Sequence, residues 1–253
     1  METRWKAVLL LACVLLQGCA TQLSMPGANI ELRFQSNSIA PAAIVESTAL
    51  QPGDILLSAE ATVVSAGIRV MTLAPVSHAA LYVGDGKLVD AMRPGVRVRR
   101  LEDLVDEAAV VLVLRYPQLT TEQASVITEY AIGRSGAGFN FAGITLQIPF
   151  SLTRRLCELP LVPPTVRDVC IQTMGVMPQL AGGESQVFCS QLVLLAYRHA
   201  GVPITAADPR VMSPADILHM REGDVSSVRV PKQLRYVGHL KYERPAMSLA
   251  ALE

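Results

Sequence analysis

Gln186-Val187-Phe188-Cys189-Ser190-Gln191-Leu192 opens an apolar helix around which the rest of the chain is organised. Cys189, Leu192, Val193, Ala196, Tyr197 and Ala200 recur at three- and four-residue spacing and so share one helical face. Gly201 and Pro203 mark its C-terminal stop, and Gly182-Gly183 in front read as loop. Cys189 therefore falls in the first turn, where unpaired backbone amides and the helix dipole favour an anion. A thiol so placed is drawn towards thiolate, the form that attacks carbonyl carbon. The competing reading is a buried structural cysteine, because free Cys packs as a small hydrophobe. A catalytic role requires a base and a group that orients the base.

Both are offered by Ser77-His78-Ala79-Ala80-Leu81-Tyr82-Val83-Gly84-Asp85-Gly86-Lys87-Leu88-Val89-Asp90-Ala91. Two apolar runs flanking Gly-Asp-Gly predict a β-hairpin. A two-residue loop at Asp85-Gly86 pairs Leu81 with Asp90 and turns the carboxylate away from His78. A three-residue loop, Gly84-Asp85-Gly86 with a bulge, pairs Ala80 with Asp90 instead. Asp90 then lies diagonally from His78 on one face, within hydrogen-bonding reach. Only the second register makes Cys189, His78 and Asp90 a nucleophile, base and orienter. His199, His219 and His239 are weaker candidates for the base: His199 sits far down the Cys189 helix, and the other two lack a strand-turn-strand carboxylate. No HExxH or paired CxxC occurs, so neither a metal site nor a cofactor is expected.

Outward from these stretches, Pro52-Gly53 turns into a short strand over Asp54 to Ser58, and Ala61 to Leu73 reads as a helix. Gly95 to Arg99 alternates apolar and basic, a strand whose arginines are expected on a solvated face. Leu101 to Glu107 reads as a short helix and Val110 to Leu114 as a buried strand. Thr120 with Gln123 forms a capping box for a helix ending near Gly133. Gly138 to Gly143 is turn-rich. Residues 145–183 are apolar and carry Pro149, Pro160, Pro163, Pro164 and Pro178, an insertion read either as a cover for the site or as a packed subdomain. A turn and short helix over Ser213 to Leu218 and a strand over Arg235 to Leu240 complete the expected catalytic domain, residues 50–245.

The 253 residues balance 22 basic against 22 acidic side chains, which gives no reason to expect a nucleic-acid partner. At the N-terminus Arg4 and Lys6 precede an uncharged run from Ala7 to Leu16, too short to span a bilayer but suited to a signal peptide. The ending Leu16-Gln17-Gly18-Cys19 resembles the bacterial lipoprotein signal, which implies cleavage after residue 18 and acylation of Cys19. That resemblance also implies, from Ala20 in the sorting position, an outer-membrane address on the periplasmic side. Residues 19–49, polar with Pro26, Gly27 and Pro41, are expected as a lipidated tether. With Cys19 acylated and Cys189 a free thiol, Cys157 and Cys170 remain as a pair for a disulfide in the oxidising periplasm.

Pro52-Gly53-Asp54-Ile55-Leu56, the His78 to Ala91 hairpin and Phe188-Cys189-Ser190-Gln191-Leu192-Val193 together resemble the circularly permuted papain-fold enzymes. They are most similar to the YaeF/YiiX group, relatives of NlpC-type cell-wall peptidases and of lecithin:retinol acyltransferase. The resemblance runs from about residue 50 to 220. It implies an α+β fold, a small antiparallel sheet packed on helices, with the nucleophile Cys189 at a helix N-terminus, His78 as base and Asp90 as orienter. The function it favours is a thiol hydrolase of amide bonds acting on a cell-envelope peptide. A lipid-directed thioesterase or acyltransferase, and a binding module with a vestigial triad, are the alternatives. The Cys189 amide is the natural first oxyanion-hole donor.

Overall fold

A computed structural model describes residues 21–24, 31–36, 38–39, 43–60, 74–159, 162–175 and 186–243. Its strands are β1 (Thr21–Ser24), β2 (Glu31–Phe34), β3 (Ile55–Glu60), β4 (His78–Gly84), β5 (Lys87–Met92), β6 (Gly95–Arg100), β7 (Ala108–Arg115), β8 (Gly138–Phe139), β9 (Gln186–Val187) and β10 (Arg235–Tyr242). Its α-helices are α1 (Leu101–Glu107), α2 (Thr121–Gly133), α3 (Phe141–Thr153), α4 (Pro164–Met174), α5 (Cys189–His199) and α6 (Pro214–Leu218). The helix expected over 61–73 lies outside the described residues.

β3 and β7 are neighbouring interior strands of the main sheet, as strands apolar on both faces must be. Ile55 and Leu57 point into one core, with Leu112 and Leu114 of β7; Leu56 points into the other, with Val111 and Val113. The larger core is covered by α5, whose Leu192, Val193, Ala196 and Tyr197 are at most 1% exposed, as their spacing requires. The smaller core is closed by Leu101 and Leu104 of α1. The α+β class is as expected, but the sheet is not small. Eight strands run in the order β10-β7-β3-β4-β5-β6-β8-β9. Pairing is antiparallel except between β8 and β9, which are parallel. Two-residue strands carry no periodicity, so neither was legible.

The hairpin tip is a two-residue turn, yet its register is the one a three-residue loop was expected to give. Gly84 pairs with Lys87 across Asp85-Gly86, and a bulge at Val83 then moves Tyr82 opposite Leu88 and Ala80 opposite Asp90. Gly84, Asp85 and Gly86 have φ of 99, 50 and 65°, a run of positive values that two glycines and an aspartate tolerate. The Tyr82 hydroxyl accepts the Gly86 N–H at 3.1 Å and so fixes the tip.

The stretch expected as a tether is in part built into the domain. β1 and β2 pair as a two-stranded sheet. Beyond them the Ser36 N–H donates to Asp224 Oδ1 at 2.8 Å, and Arg221 Nη2 donates to the Ser36 and Ser38 carbonyls. The Val45 N–H bonds the His239 carbonyl, and the His239 N–H bonds that of Ala43. Backbone groups, which every sequence carries alike, make most of these contacts. Composition could not announce them.

The apolar insertion begins earlier than residue 145. Asn140 caps α3 by accepting the Gly143 N–H at 2.8 Å. A disulfide joins Cys157 to Cys170 across a Cα–Cα distance of 5.6 Å. Arg154, 7% exposed, lies between Glu158 and Asp216, and α4 is seated through Arg167, whose Nη1 donates to the Ser226 carbonyl. The described part of the insertion is thus bonded to the domain through Arg154, just after α3, and through Arg167 of α4.

Candidate active site

α5 is carried to the site by β9, which enters the sheet just before Phe188. Phe188 has no side-chain acceptor to cap the helix; only its own N–H is taken, by Gln191 Oε1 at 3.4 Å. The helix start is held by Ser190, whose hydroxyl donates to the Met212 carbonyl at 2.7 Å. Its far end is held by Tyr197, whose hydroxyl donates to the Gly53 carbonyl at 2.5 Å. Cys189 is a free thiol.

His78 begins β4, and its Nε2 lies 3.2 Å from Asp90 Oδ2. The Cys189 side chain is near enough to the same imidazole to raise its pKa. Cys189 and His78 are each 6% exposed and Asp90 0%, so solvent screens their interactions little. Burial by itself lowers the His78 pKa, but the hydrogen bonds to Asp90 and Cys189 outweigh it and raise the value to about 10. Burial likewise raises that of Asp90, yet His78, Arg97 and Arg99 together hold it below the usual carboxylate range. The imidazole is therefore protonated at neutral pH beside an ionised carboxylate.

The arginines of β6 are expected on a solvated face, and Arg100 and part of Arg97 are exposed there, but Arg97 and Arg99 also bond Asp90. Arg97 lies opposite Asp90 in the β5–β6 pairing, and its Nε donates to Oδ1 at 3.2 Å. Arg99 Nη1 donates to Oδ2 at 3.3 Å, and its Nη2 reaches Glu107. The Arg99 side chain is 8% exposed. A signal for this existed. A two-residue connection at Arg93-Pro94 puts Met92 opposite Gly95, and counting back puts Asp90 opposite Arg97. Ser58 was also missed. It faces His78 directly across the β3–β4 pairing, and its buried hydroxyl makes no hydrogen bond among the described residues.

The other histidines lie elsewhere. His199 stacks near Tyr130. His219 does have a carboxylate, Asp224, at 3.0 Å from Nδ1, but that pair, with Arg221, holds Ser36 and Ser38. His239 accepts or donates through Nδ1 to the Tyr236 hydroxyl, and burial lowers its pKa to about 4, so it is neutral. Ser77 and Tyr82, which flank the base, are structural expectations; Tyr82 serves the hairpin tip. Among the described residues no group of three or more His, Cys, Asp or Glu is placed to hold a metal ion.

A buried thiol at an uncapped helix start, beside a histidine–carboxylate pair on adjacent strands of an α+β sheet, defines the class of site. The chain belongs to the YaeF family. It is 36% identical over 244 residues, 90% of its length and 89% of the relative's, to the Probable lipoprotein peptidase YaeF of Escherichia coli strain K12. The crystal structure of metalloprotein yiiX from Escherichia coli O157:H7 matches with a TM-score of 0.44 and 17% identity, covering 77% of this chain and 98% of that one. No protein-family model matches the chain.

Proposed function

We infer that the chain is an envelope-anchored thiol hydrolase that cleaves amide bonds through Cys189, His78 and Asp90 on a circularly permuted papain-like domain. The observation that carries this reading is the buried His78–Asp90 contact of 3.2 Å, with Cys189 near enough to the imidazole to raise its pKa. The relative's designation as a probable lipoprotein peptidase supports the hydrolase class, a peptide substrate and attachment to a membrane. Residues 1–18 act as signal peptide and Cys19 carries the acyl groups, on the periplasmic side of the outer membrane. No helix among the described residues is long and apolar enough to cross a membrane.

In this mechanism the His78 imidazolium already holds the proton that the Cys189 thiol gives up, and the Cys189 sulfur adds as thiolate to the carbonyl carbon of the substrate. The Cys189 N–H, at a helix start without a side-chain cap, donates to the oxygen as it becomes negative. Collapse breaks the C–N bond, and the His78 proton leaves with the amine. Water then adds to the thioester, giving its proton to His78, and the acid departs as sulfur is restored. Asp90 accepts from Nε2–H throughout and keeps the ring in one orientation.

Mass spectrometry of the Cys189 peptide after exposure to envelope extract tests the reading. The expected result is an acyl adduct on the native protein, absent from Cys189→Ala and greatly reduced in His78→Ala. An adduct with the mass of a fatty acyl group would move the function to the lipid-directed alternative. A native protein that never acquires an adduct, and whose thiol reacts with iodoacetamide no faster than in His78→Ala, overturns it.

A further inference from the structure

Three of the eight large apolar side chains exposed among the described residues fall close together: Leu156 at 64%, Val166 at 56% and Val169 at 66%. Val166 and Val169 point away from Arg167 and Ile171, the buried residues of α4. Thr165 and Thr173 are exposed on the same side, so this face of the helix carries no charge. The Cys157–Cys170 disulfide draws Leu156 alongside. Singly exposed apolar residues need no explanation, but a clustered, uncharged face does.

The route of the chain towards its N-terminus supplies the occupant. Gln35 Nε2 donates to Ser227 Oγ at 3.4 Å, and the neighbouring Ser226 carbonyl accepts Arg167 Nη1 at 3.1 Å. The N-terminal segment therefore meets the domain at the loop on which α4 is seated. Beyond Gln35 the chain does not run away, because β1 and β2 pair Thr21 with Phe34. Paired strand residues lie about 5 Å apart. Cys19 is two residues before Thr21, a reach of at most about 7 Å. With a helix diameter of about 10 Å, these lengths place Thr21, two residues along the chain from the anchor, within roughly 25 Å of the outer side of α4.

We propose that the uncharged outer face of α4, together with Leu156, is the surface this protein lays on the bilayer that holds its anchor. The proposal rests on acylation of Cys19, as set out above. The acyl chains fix one point of the domain to the membrane, and the apolar face beside that point fixes its tilt. The bound molecule is the lipid surface itself.

The sole tryptophan of the chain is Trp5, within the signal segment, so an indole introduced into the mature protein reports alone. Val169→Trp and Leu156→Trp are made in the full acylated protein and reconstituted into phosphatidylethanolamine–phosphatidylglycerol vesicles containing brominated acyl chains. Ile132→Trp, on α2 where Ile132 is 44% exposed, serves as reference. The indoles at 169 and 156 are expected to shift to shorter wavelength and lose most of their emission, while that at 132 keeps its own. Equal quenching at all three positions, or none at 169 and 156, overturns the proposal. Mass analysis of the N-terminal peptide separates the two readings. An unacylated Cys19 removes the anchor and this inference with it; an acylated chain without quenching removes the inference alone.

Discussion

Replacing Asp90 by asparagine keeps the shape of the side chain and removes the charge that three cationic groups share. Asp90 is fully buried and meets His78 at 3.2 Å, Arg97 at 3.2 Å and Arg99 at 3.3 Å. Taking one partner out of a buried ionic contact costs about 3–5 kcal/mol. The lower end applies here, because the Arg97 side chain is 42% exposed and rehydrates, Arg99 keeps Glu107, and asparagine still accepts one hydrogen bond. A loss of about 3 kcal/mol lowers Tm by roughly 6–12 °C in a chain of this size. The loss depends on pH in a direction that can be worked out. The folded pKa of His78, about 10, lies above its unfolded 6.5, so its contribution is whole below 6.5 and fades as pH rises through about 10. That of Asp90 is lowered from 3.8, so its contribution is whole above 3.8 and fades as pH falls through the folded value. The gap between the native protein and Asp90→Asn is therefore widest between 3.8 and 6.5 and narrows on either side. Urea unfolding across pH measures it. The same substitution removes a principal support of the raised His78 pKa, so the alkaline limb of Cys189 alkylation by iodoacetamide should move to lower pH. An Asp90→Asn protein with native stability between those limits and an unmoved limb would refute the electrostatic account of the site.

Cys157→Ser with Cys170→Ser should leave a folded protein weaker by about 3 kcal/mol, the chain-entropy value for a bridge closing a loop of this length, read from urea midpoints. An unchanged midpoint would mean that the native state or the reduced unfolded chain compensates. Ser58→Ala removes a buried hydroxyl that has no partner among the described residues, so it should be neutral or stabilise by roughly 1 kcal/mol. A clear destabilisation in calorimetry would show that the hydroxyl is engaged after all. Cys19→Ala should leave the protein in the soluble envelope fraction without lipid label, and retention of both label and membrane would remove the anchor from Cys19.

Local patterns were legible wherever one face of an element is buried, because burial writes its period into the sequence. The α5 stripe from Cys189 to Tyr197, the Thr120 capping box, the His78 hairpin and the alternation of β6 are of this kind. The helix start that carries Cys189 and the strand that carries His78 are of the same kind, whereas the hairpin alone left the register of Asp90 open. What only the tertiary structure decided depends on partners distant in the chain. The sequence allowed two registers for Asp90, and the bulge at Val83 chose between them. Arg97 and Arg99 look like any solvated strand face until β5 brings the Asp90 carboxylate beside them. The pairing of two-residue strands β8 and β9, and the docking of Ser36, Ser38, Ala43 and Val45 on Asp224, Arg221 and His239, run largely through backbone groups. A peptide unit is chemically the same at every position, so those contacts leave no mark in side-chain composition, and only the assembled chain specifies them.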